Sequence, residues 1–386
     1  MAVSDLEGPY LYIFSAGGQG NPTISTYCPG VNIDPENQYG VTGLTGLDWS
    51  GDGFYIWVAS PWRASWRGTD DVYEPGLVFS YFVLNGEVGA PITVNQKPFG
   101  VTRSPKWSKY PYMFVAVRGS ESRGVTVIDT LFRKDKYGIS TNLRGHEPRL
   151  PKVLPLRPMI SNKRAQMELE RQKRDPMGKP VGLGTVFKKY VYDPYLFDIN
   201  SAEQIVFTRD GELAFVLFNN TFLSHVTDVA GVGKGQLVAD PARDPHSGRG
   251  GNIGILIHPF EPRRARFVVA TEDFPFSWPD GLTLGPYNKY LFMTLTGTNQ
   301  VVAYDLTRLR KALQLIGKYM PEVLQKPERP FKQVWPLETY VQWLMDDYGG
   351  AKKGSAMASD PVFKLLGDGT IRRVFRTPQH LSLIHI

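Results

Sequence analysis

Cysteine is almost absent from this 386-residue sequence, in which Cys28 is the only one. A single cysteine excludes an internal disulfide and any metal site built from cysteine ligands. No apolar run reaches the roughly 18–20 residues that span a bilayer, which excludes a transmembrane helix. The N-terminus lacks a basic segment followed by an apolar stretch, so we expect no signal peptide.

The sequence also lacks the short motifs that mark several enzyme classes. It contains neither the GxSxG phrase of serine hydrolases nor the GxxxxGK[ST] phosphate-binding loop. None of its six histidines lies within four residues of another, which excludes sites of the HExxH type. We therefore assign no catalytic residue, and the favoured interpretation includes no cofactor.

Positive charge is concentrated in one segment. The formal net charge is +7, but residues 133–189 hold 15 Lys and Arg against 5 Asp and Glu, while the rest of the chain holds 29 against 32. The segment is interpreted as a solvated loop or as a docking arm for an acidic partner, an anionic polymer or a membrane surface. A local excess of this kind does not favour nucleic-acid binding.

A phrase of strand, turn, strand, loop and strand recurs along the chain. Its copies lie at 44–58 with 76–84, 99–117 with 124–130, 204–217 with 252–260, and 281–295 with 300–306. A partial first copy lies at 10–18 with 23–27, and 367–376 is interpreted as the outer strand of one further unit. The strands are rich in Val, Ile, Phe and Tyr, and 39 Gly with 30 Pro supply the turns.

The chemistry of one copy predicts its fold. Asp52 with Gly53, and Asp210 with Gly211, provide the positive-φ turns that join antiparallel strands. The apolar run 112–117 predicts a strand that is buried on both faces, so neighbouring sheets must cover each sheet. Repeats of several strands favour an all-β propeller, with six to eight blades in the full domain. A double-sheet sandwich is the alternative architecture.

The phrase Phe114–Ala116 followed by Val127–Thr130 resembles the YVTN repeat of the YVTN/lactonase-like group of β-propellers, and 300–305 is a looser copy. The resemblance implies the propeller fold. It also implies an extracellular or periplasmic location, in some cases within a large bacterial surface protein.

We expect an incomplete propeller over residues 1–379 with two insertions. A basic insertion over 133–196 is Pro-rich and then helical over 160–175. A helical insertion over 306–348 has two apolar stripes that are expected to pack on the parent domain, Leu309, Leu313, Ile316 and Met320 in the first, and Tyr340, Val341, Leu344 and Met345 in the second.

The last residues, 380–386, are interpreted as a sequencing scar. The stretch Leu381–Ile386 resembles a translated library-preparation adapter. The natural chain would then continue beyond Gln379, and the sequence would be a fragment assembled from environmental DNA. The alternative is an ordinary apolar terminal strand.

One loop combines aromatic and arginine side chains. Residues 60–76 carry Trp62, Arg63, Trp66, Arg67 and Tyr73. Such side chains recognise a protein or a polysaccharide by stacking and bidentate hydrogen bonds. The alternative is that the rings pack within a self-contained loop.

Two aspartate phrases keep an enzymatic hypothesis open. Residues 279–282 and 46–50 resemble metal-bearing phrases of gluconolactonase-type propellers, which implies Ca²⁺ or another divalent cation at Asp280 and Asp48 in a central channel. Thr45 replaces the family's Asn before the glycine, and the family's first-blade Glu and its other Asn have no counterpart. Since one ligand of four would not hold the ion, Asp280 is interpreted instead as a turn residue that bonds nearby backbone N–H groups.

The sequence therefore predicts a non-catalytic binding or scaffolding β-propeller. Its loop face would hold a protein or polysaccharide ligand. The alternative is a divalent-metal-dependent lactonase or esterase-like hydrolase that uses the central channel.

Overall fold

The computed structural model describes residues 1–14, 30–63, 76–89, 91–94, 97–118, 124–130, 189–192, 202–219, 251–261, 265–271, 274, 277, 279–324, 336–345 and 360–376. The chain divides into two compact units, Met1–Asp193 and Pro194–Ile386. Antiparallel sheets dominate both units, which confirms the all-β prediction.

The described part of unit 1 contains three sheets, named A, B and C. Sheet A has the order β1 (Ala2–Ser4), β2 (Tyr10–Ile13), β3 (Val31–Asn32). A separate antiparallel pair joins β4 (Val41–Gly43) and β7 (Trp62–Arg63). Sheet B has the order β5 (Leu47–Trp49), β6 (Tyr55–Ser60), β8 (Gly76–Phe82), β10 (Ile92–Val94), and β9 (Glu87–Val88) also pairs with β8. Sheet C has the order β11 (Pro98–Arg103), β12 (Tyr112–Val117), β13 (Gly124–Asp129), β14 (Lys189–Tyr192).

The described part of unit 2 contains two sheets, D and E, and a group of helices. Sheet D has the order β15 (Ala202–Phe207), β16 (Leu213–Asn219), β17 (Gly251–Ile257), β18 (Arg266–Ala270). Sheet E has the order β19 (Pro279–Leu284), β20 (Tyr290–Leu295), β21 (Gln300–Asp305), β22 (Arg372–Arg376). The helices between β21 and β22 are α1 (Leu306–Tyr319), α2 (Pro321–Leu324), α3 (Leu337–Met345) and α4 (Pro361–Leu366).

Sheets B to E share one construction. Their four main strands follow in chain order, and each pairs antiparallel with the next. The first hairpin of each sheet is closed by a backbone N–H of a residue that we call the closing residue. The closing bonds to the second strand are Ser50 N to Tyr55 O (2.7 Å), Ser104 N to Tyr112 O (2.9 Å), Thr208 N to Leu213 O (3.0 Å) and Gly285 N to Tyr290 O (2.8 Å).

The Asp-Gly turns of sheets B and D are identical in their bonding. In sheet D the Thr208 hydroxyl donates to Asp210, which accepts the Glu212 N–H, while Gly211 donates to the Thr208 carbonyl. In sheet B, Ser50, Asp52, Gly53 and Phe54 make the same three bonds. Gly53 and Gly211 have φ of 77° and 66°, as the sequence predicts, because glycine reaches this region without a steric penalty.

Sheet B is covered on both faces. Alternate residues of its strands point to opposite sides, so Trp57 and Val78 join a core with Met113 and Val115 of sheet C. The opposite face, which includes Phe79, packs on sheet A. The continuous apolar strands β6 and β12 are buried throughout, as expected for strands between two layers.

Among the described residues of unit 2, only one face of sheet E is covered. Leu291, Met293 and Tyr304 lie in a core with Phe215 and Leu217 of sheet D. Helices α1 and α3 contribute the apolar stripes noted above to the same core, in which Leu309, Leu313, Ile316, Tyr340, Val341 and Leu344 are buried. The opposite face carries Tyr290 and Phe292, which are half-buried, and Phe375, which is 50% exposed.

Two strands differ from the sequence assignment. Residues 189–192, placed in the basic insertion, form β14, the fourth strand of sheet C. Strand β22 is an outer strand, as predicted, but it belongs to sheet E and not to one further unit, because it pairs with β21 across the helical segment. The rest of the basic insertion, residues 23–27 and residues 377–386 lie outside the described residues. No helix within the described ranges is long and apolar enough to cross a membrane.

Candidate functional site

The connections of each sheet lie at two ends. The end that holds the turn from the first to the second strand is named the hairpin end. The end that holds the connection from the second to the third strand is named the loop end. In sheets B and D the loop-end connections are long, since they include residues 64–75 and 220–250.

The candidate ligand loop starts at the loop end of sheet B. Trp62 and Arg63 form β7, whose backbone pairs with β4 at Gly43 and Val41. The base of the loop is therefore held by a second strand. Trp66, Arg67 and Tyr73 lie outside the described residues, as do the side chains of Trp62 and Arg63.

Asp48 connects two sheets. Its Oδ1 accepts the Trp49 N–H (2.7 Å), and its Oδ2 accepts the Arg103 N–H of β11 (2.8 Å). Burial raises the pKa of this carboxyl, while the two backbone hydrogen bonds and the Arg103 charge oppose the rise. Both oxygens thus serve to fasten sheet B to sheet C.

The same kind of link recurs in unit 2, where Gln204 Oε1 accepts the Leu282 N–H of sheet E (2.7 Å). In the first link, Asp48 lies two residues before its closing residue and Arg103 lies one residue before its own. In the second link, Gln204 lies four residues before its closing residue and Leu282 lies three before its own. In both links, the side chain that accepts the hydrogen bond belongs to a first strand. The backbone N–H that donates it, in the first strand of the next sheet, is one residue nearer to its closing residue. Sheets B and C, and sheets D and E, are thus related in the same way.

Asp280 occupies a different position from Asp48. It lies in β19, five residues before the closing residue Gly285, at a register shift near the loop end. It is exposed, and no residue in the described ranges donates a hydrogen bond to its carboxylate. The interpretation of Asp280 as a turn residue is therefore wrong, since it lies in a strand. The two aspartates are not at equivalent positions.

The position equivalent to Asp280 identifies a residue that the sequence analysis missed. Glu203 lies five residues before Thr208, at the corresponding register shift of β15, and is buried with 3% of its surface exposed. Thr45 and Phe99 take this position in sheets B and C. The spacing is visible in the sequence only after the hairpins are aligned on their closing residues.

Buried amides lie at the same end of sheet D as Glu203. Asn219 ends β16 and donates from Nδ2 to the Pro279 carbonyl (3.4 Å). Asn252 is 6% exposed, and its Oδ1 has no hydrogen-bond partner among the described residues. Within the described ranges, no group of three or more His, Cys, Asp or Glu side chains could hold a metal ion. This end of sheet D therefore holds a buried carboxylate and two buried amides among its described residues.

Comparisons with known proteins give only remote likenesses. No protein-family model and no curated protein matches the chain. Similar solved structures include a functionally unknown protein from Desulfotomaculum acetoxidans, with 12% identity and a TM-score of 0.40 over 79% of this chain and 61% of that one. A periplasmic gluconolactonase from Pseudomonas aeruginosa has 14% identity and a TM-score of 0.39 over 79% of this chain and 63% of that one. Hydrazine synthase from Kuenenia stuttgartiensis has 15% identity and a TM-score of 0.34 over 84% of this chain and 80% of that one. The chain thus spans less than two thirds of the length of the first two.

Proposed function

We propose that sheets A to E are consecutive blades of a β-propeller, with the first strand of each sheet innermost. Sheets B to E repeat the same strand order and the same closing bond. The link from a first strand to the next sheet recurs in both units. Small sheets that cannot bury both faces alone are stable when each covers the next, which is the physical basis of propeller architecture.

We further propose that this propeller is a non-catalytic binding or scaffolding module whose ligand contacts the loop end of sheet B. The observation that carries the proposal is the pairing of β7 with β4, which holds the base of the Trp- and Arg-bearing loop. A structured base lowers the entropy lost when the loop meets a ligand. The two oxygens of Asp48, which already accept backbone N–H groups, favour binding over metal chemistry in this unit.

The loop chemistry suits an anionic polysaccharide. Trp66 and Tyr73 offer faces on which sugar rings stack, and Arg67 offers a planar fork that matches a carboxylate. A protein ligand uses the same aromatic and arginine anchors and is the second candidate.

Retention on insoluble polymers tests the polysaccharide proposal. The full chain is incubated with crosslinked alginate and crosslinked polygalacturonate, which carry carboxylates, and with peptidoglycan, and the bound fraction is measured by depletion. We expect at least one polymer to retain the wild type, and the W66A/R67A variant to bind about tenfold more weakly or worse. Trp343→Ala is the matched control, because Trp343 lies on α3 and is 37% exposed. Equal retention of all three proteins would contradict a polysaccharide ligand at this loop. Failure of every polymer to retain the wild type would contradict it as well.

A metal-dependent lactonase remains the second function, and one observation favours it. Glu203 and Asp280 take the same position in consecutive first strands of unit 2, near the loop end that also holds Asn219 and Asn252. Carboxylate and amide oxygens are the ligands that a hard divalent cation prefers. Such an ion would polarise a lactone carbonyl and activate water.

Hydrolysis of glucono-δ-lactone separates the two functions. The binding proposal predicts no hydrolysis above the spontaneous rate, with or without added Ca²⁺. Hydrolysis that EDTA abolishes, and that both Glu203→Gln and Asp280→Asn lower while Asp48→Asn does not, would establish the enzyme instead.

A further inference from the structure

Strand β22 is the outer edge of sheet E and is unusually open. It pairs with β21, and no other strand in the described ranges pairs with its second edge. Four of its five residues are exposed, including Val374 at 44% and Phe375 at 50%. Apolar side chains on an unpaired edge invite another strand.

The charge beside this edge is positive and uncompensated. Arg373 and Arg376 are exposed, and neither guanidinium forms an ion pair or hydrogen bond with a residue that the structure describes. The nearby acids have other partners: Asp305, which lines the cavity described below, accepts the Thr307 and Arg308 N–H groups. Asp368 pairs with Arg308 (2.6 Å), and Glu338 pairs with Arg372 (3.5 Å). The edge therefore attracts negative charge.

A cavity adjoins the exposed face of this strand. It has a volume of about 220 Å³ and is lined in part by Tyr290, Phe292, Ala303, Arg373 and Phe375. Cross-strand pairing places Arg373 beside Ala303 and Phe375 beside Val301. The volume is below the roughly 300 Å³ at which pockets for drug-sized ligands begin, so it suits a single side chain.

We propose that the free edge of β22 binds an extended acidic peptide segment as an added strand. Main-chain hydrogen bonds give affinity in this mode, and alternate side chains give specificity. Because opposite charges stabilise directly facing cross-strand pairs, the segment carries acids opposite Arg373 and Arg376. It carries apolar residues opposite Val374 and Phe375, and the one facing Phe375 lies at the cavity. The recognised pattern is acidic, apolar, apolar, acidic, which reads the same in both strand directions.

Fluorescence anisotropy with labelled peptides tests this proposal on the full chain. The probe contains Glu-Val-Val-Glu between Gly and Ser spacers, and a second peptide replaces both Glu by Lys. We expect the wild type to bind the Glu peptide at least about tenfold more tightly than the Lys peptide. The R373E/R376E variant should reverse this order.

Two controls separate strand addition from general charge attraction. The K109E/K364E variant makes the same change in net charge at exposed lysines outside β22 and should bind as the wild type does. A peptide with Pro in place of both Val residues removes the one backbone donor of the pair that faces β22, because neighbouring N–H groups of a strand point to opposite edges, and it should bind about tenfold more weakly. If the arginines only guard the edge against aggregation, the Glu peptide will not bind up to about 1 mM, and the proposal is wrong. Unchanged binding by R373E/R376E, or by the Pro peptide, would also overturn it. None of these results depends on the Trp- and Arg-bearing loop of sheet B.

Discussion

Sheets B and E share one strand order but differ in what covers their second face. Sheet B lies between sheets A and C, and its strands β6 and β8 are almost wholly buried. Sheet E packs on sheet D and the helices with one face, while Phe292 and Phe375 stand on the other. The comparison teaches that this repeat encodes a sheet whose two faces are both apolar, and that the stability of each copy depends on its neighbours.

We expect the largest difference in stability between substitutions of two phenylalanines, one on the second face of sheet B and one on the second face of sheet E. Phe79→Ala should lower the free energy of unfolding by about 3–5 kcal/mol, because Phe79 is 1% exposed and packs between sheets A and B. Phe292→Ala should cost about 1 kcal/mol or less, since Phe292 is only half-buried. Urea denaturation of both variants measures the difference. Equal losses would contradict the assignment of sheet E as covered on one face.

The next comparison uses two glycines at one repeat position. Gly46 and Gly281 each lie four residues before their closing residues. A Cβ at Gly46 would lie 2.4 Å from the Phe99 carbonyl oxygen of sheet C, whereas at Gly281 it meets the Thr294 side chain at 3.0 Å. Gly46→Ala should therefore destabilise by about 1–3 kcal/mol, because the backbone must shift.

Gly281→Ala is the matched control for that variant. The Thr294 side chain can rotate, so its cost should stay below about 1 kcal/mol when measured by the same urea titration. A larger loss for Gly281→Ala than for Gly46→Ala would mean that sheets B and C do not approach as closely as described.

We expect a smaller difference in stability loss between substitutions of Asp48 and Asp280. Asp48→Ala removes the acceptor of two backbone N–H groups and should cost about 1–2 kcal/mol, whereas Asp280→Ala removes no hydrogen bond to a described residue and should be nearly neutral. Asp48→Asn keeps one side-chain acceptor and should fall between them. Thermal unfolding of the three variants measures the loss of stability in each and ranks them. The reverse order would disprove the fastening role of Asp48.

The smallest effect concerns the helices that pack on the covered face of sheet E, opposite Phe292 and Phe375. Hydrogen bonds from Lys318, the Val362 N–H and Tyr319 lower the pKa of Asp360 from 3.8 to about 2. The charged form therefore stabilises the fold above the unfolded pKa, and this contribution is lost as the pH falls from about 3.8 to about 2. Asp360→Asn lacks it, so the stability gap between wild type and variant should narrow as the pH falls through this window. A gap that is constant with pH would contradict the prediction.

Local chemistry made the hairpins predictable from the sequence. The turns at Asp52 and Asp210 follow from the glycines after them, and the buried strand 112–117 follows from its continuous apolar run. The outer strands were harder, because β22 is arginine-rich and its partner β21 lies beyond the helical segment. The sequence places residues 189–192 in a basic insertion for a similar reason, because they follow a long segment rich in Lys and Arg.

The site depends on contacts that no local pattern shows. The partner of Asp48 is the backbone of Arg103, 55 residues away, so its fastening role could not be predicted from the phrase around it. Glu203 sits in a strand without a recognisable motif, and its equivalence to Asp280 emerged from the closing bonds of the hairpins. The aromatic and arginine content of the Trp- and Arg-bearing loop can be seen in the sequence. The pairing of β7 with β4, which holds the base of this loop, cannot.

Distances between spin labels in the two units test the proposed propeller most directly. In a Cys28→Ser background, one pair of labels replaces the exposed first-strand residues Arg103 and Thr283, and the other replaces Glu87 and Arg373 on outer strands. First strands that surround one axis predict a narrow distribution for the inner pair, at a shorter distance than for the outer pair. An inner distance equal to or longer than the outer one would contradict the account.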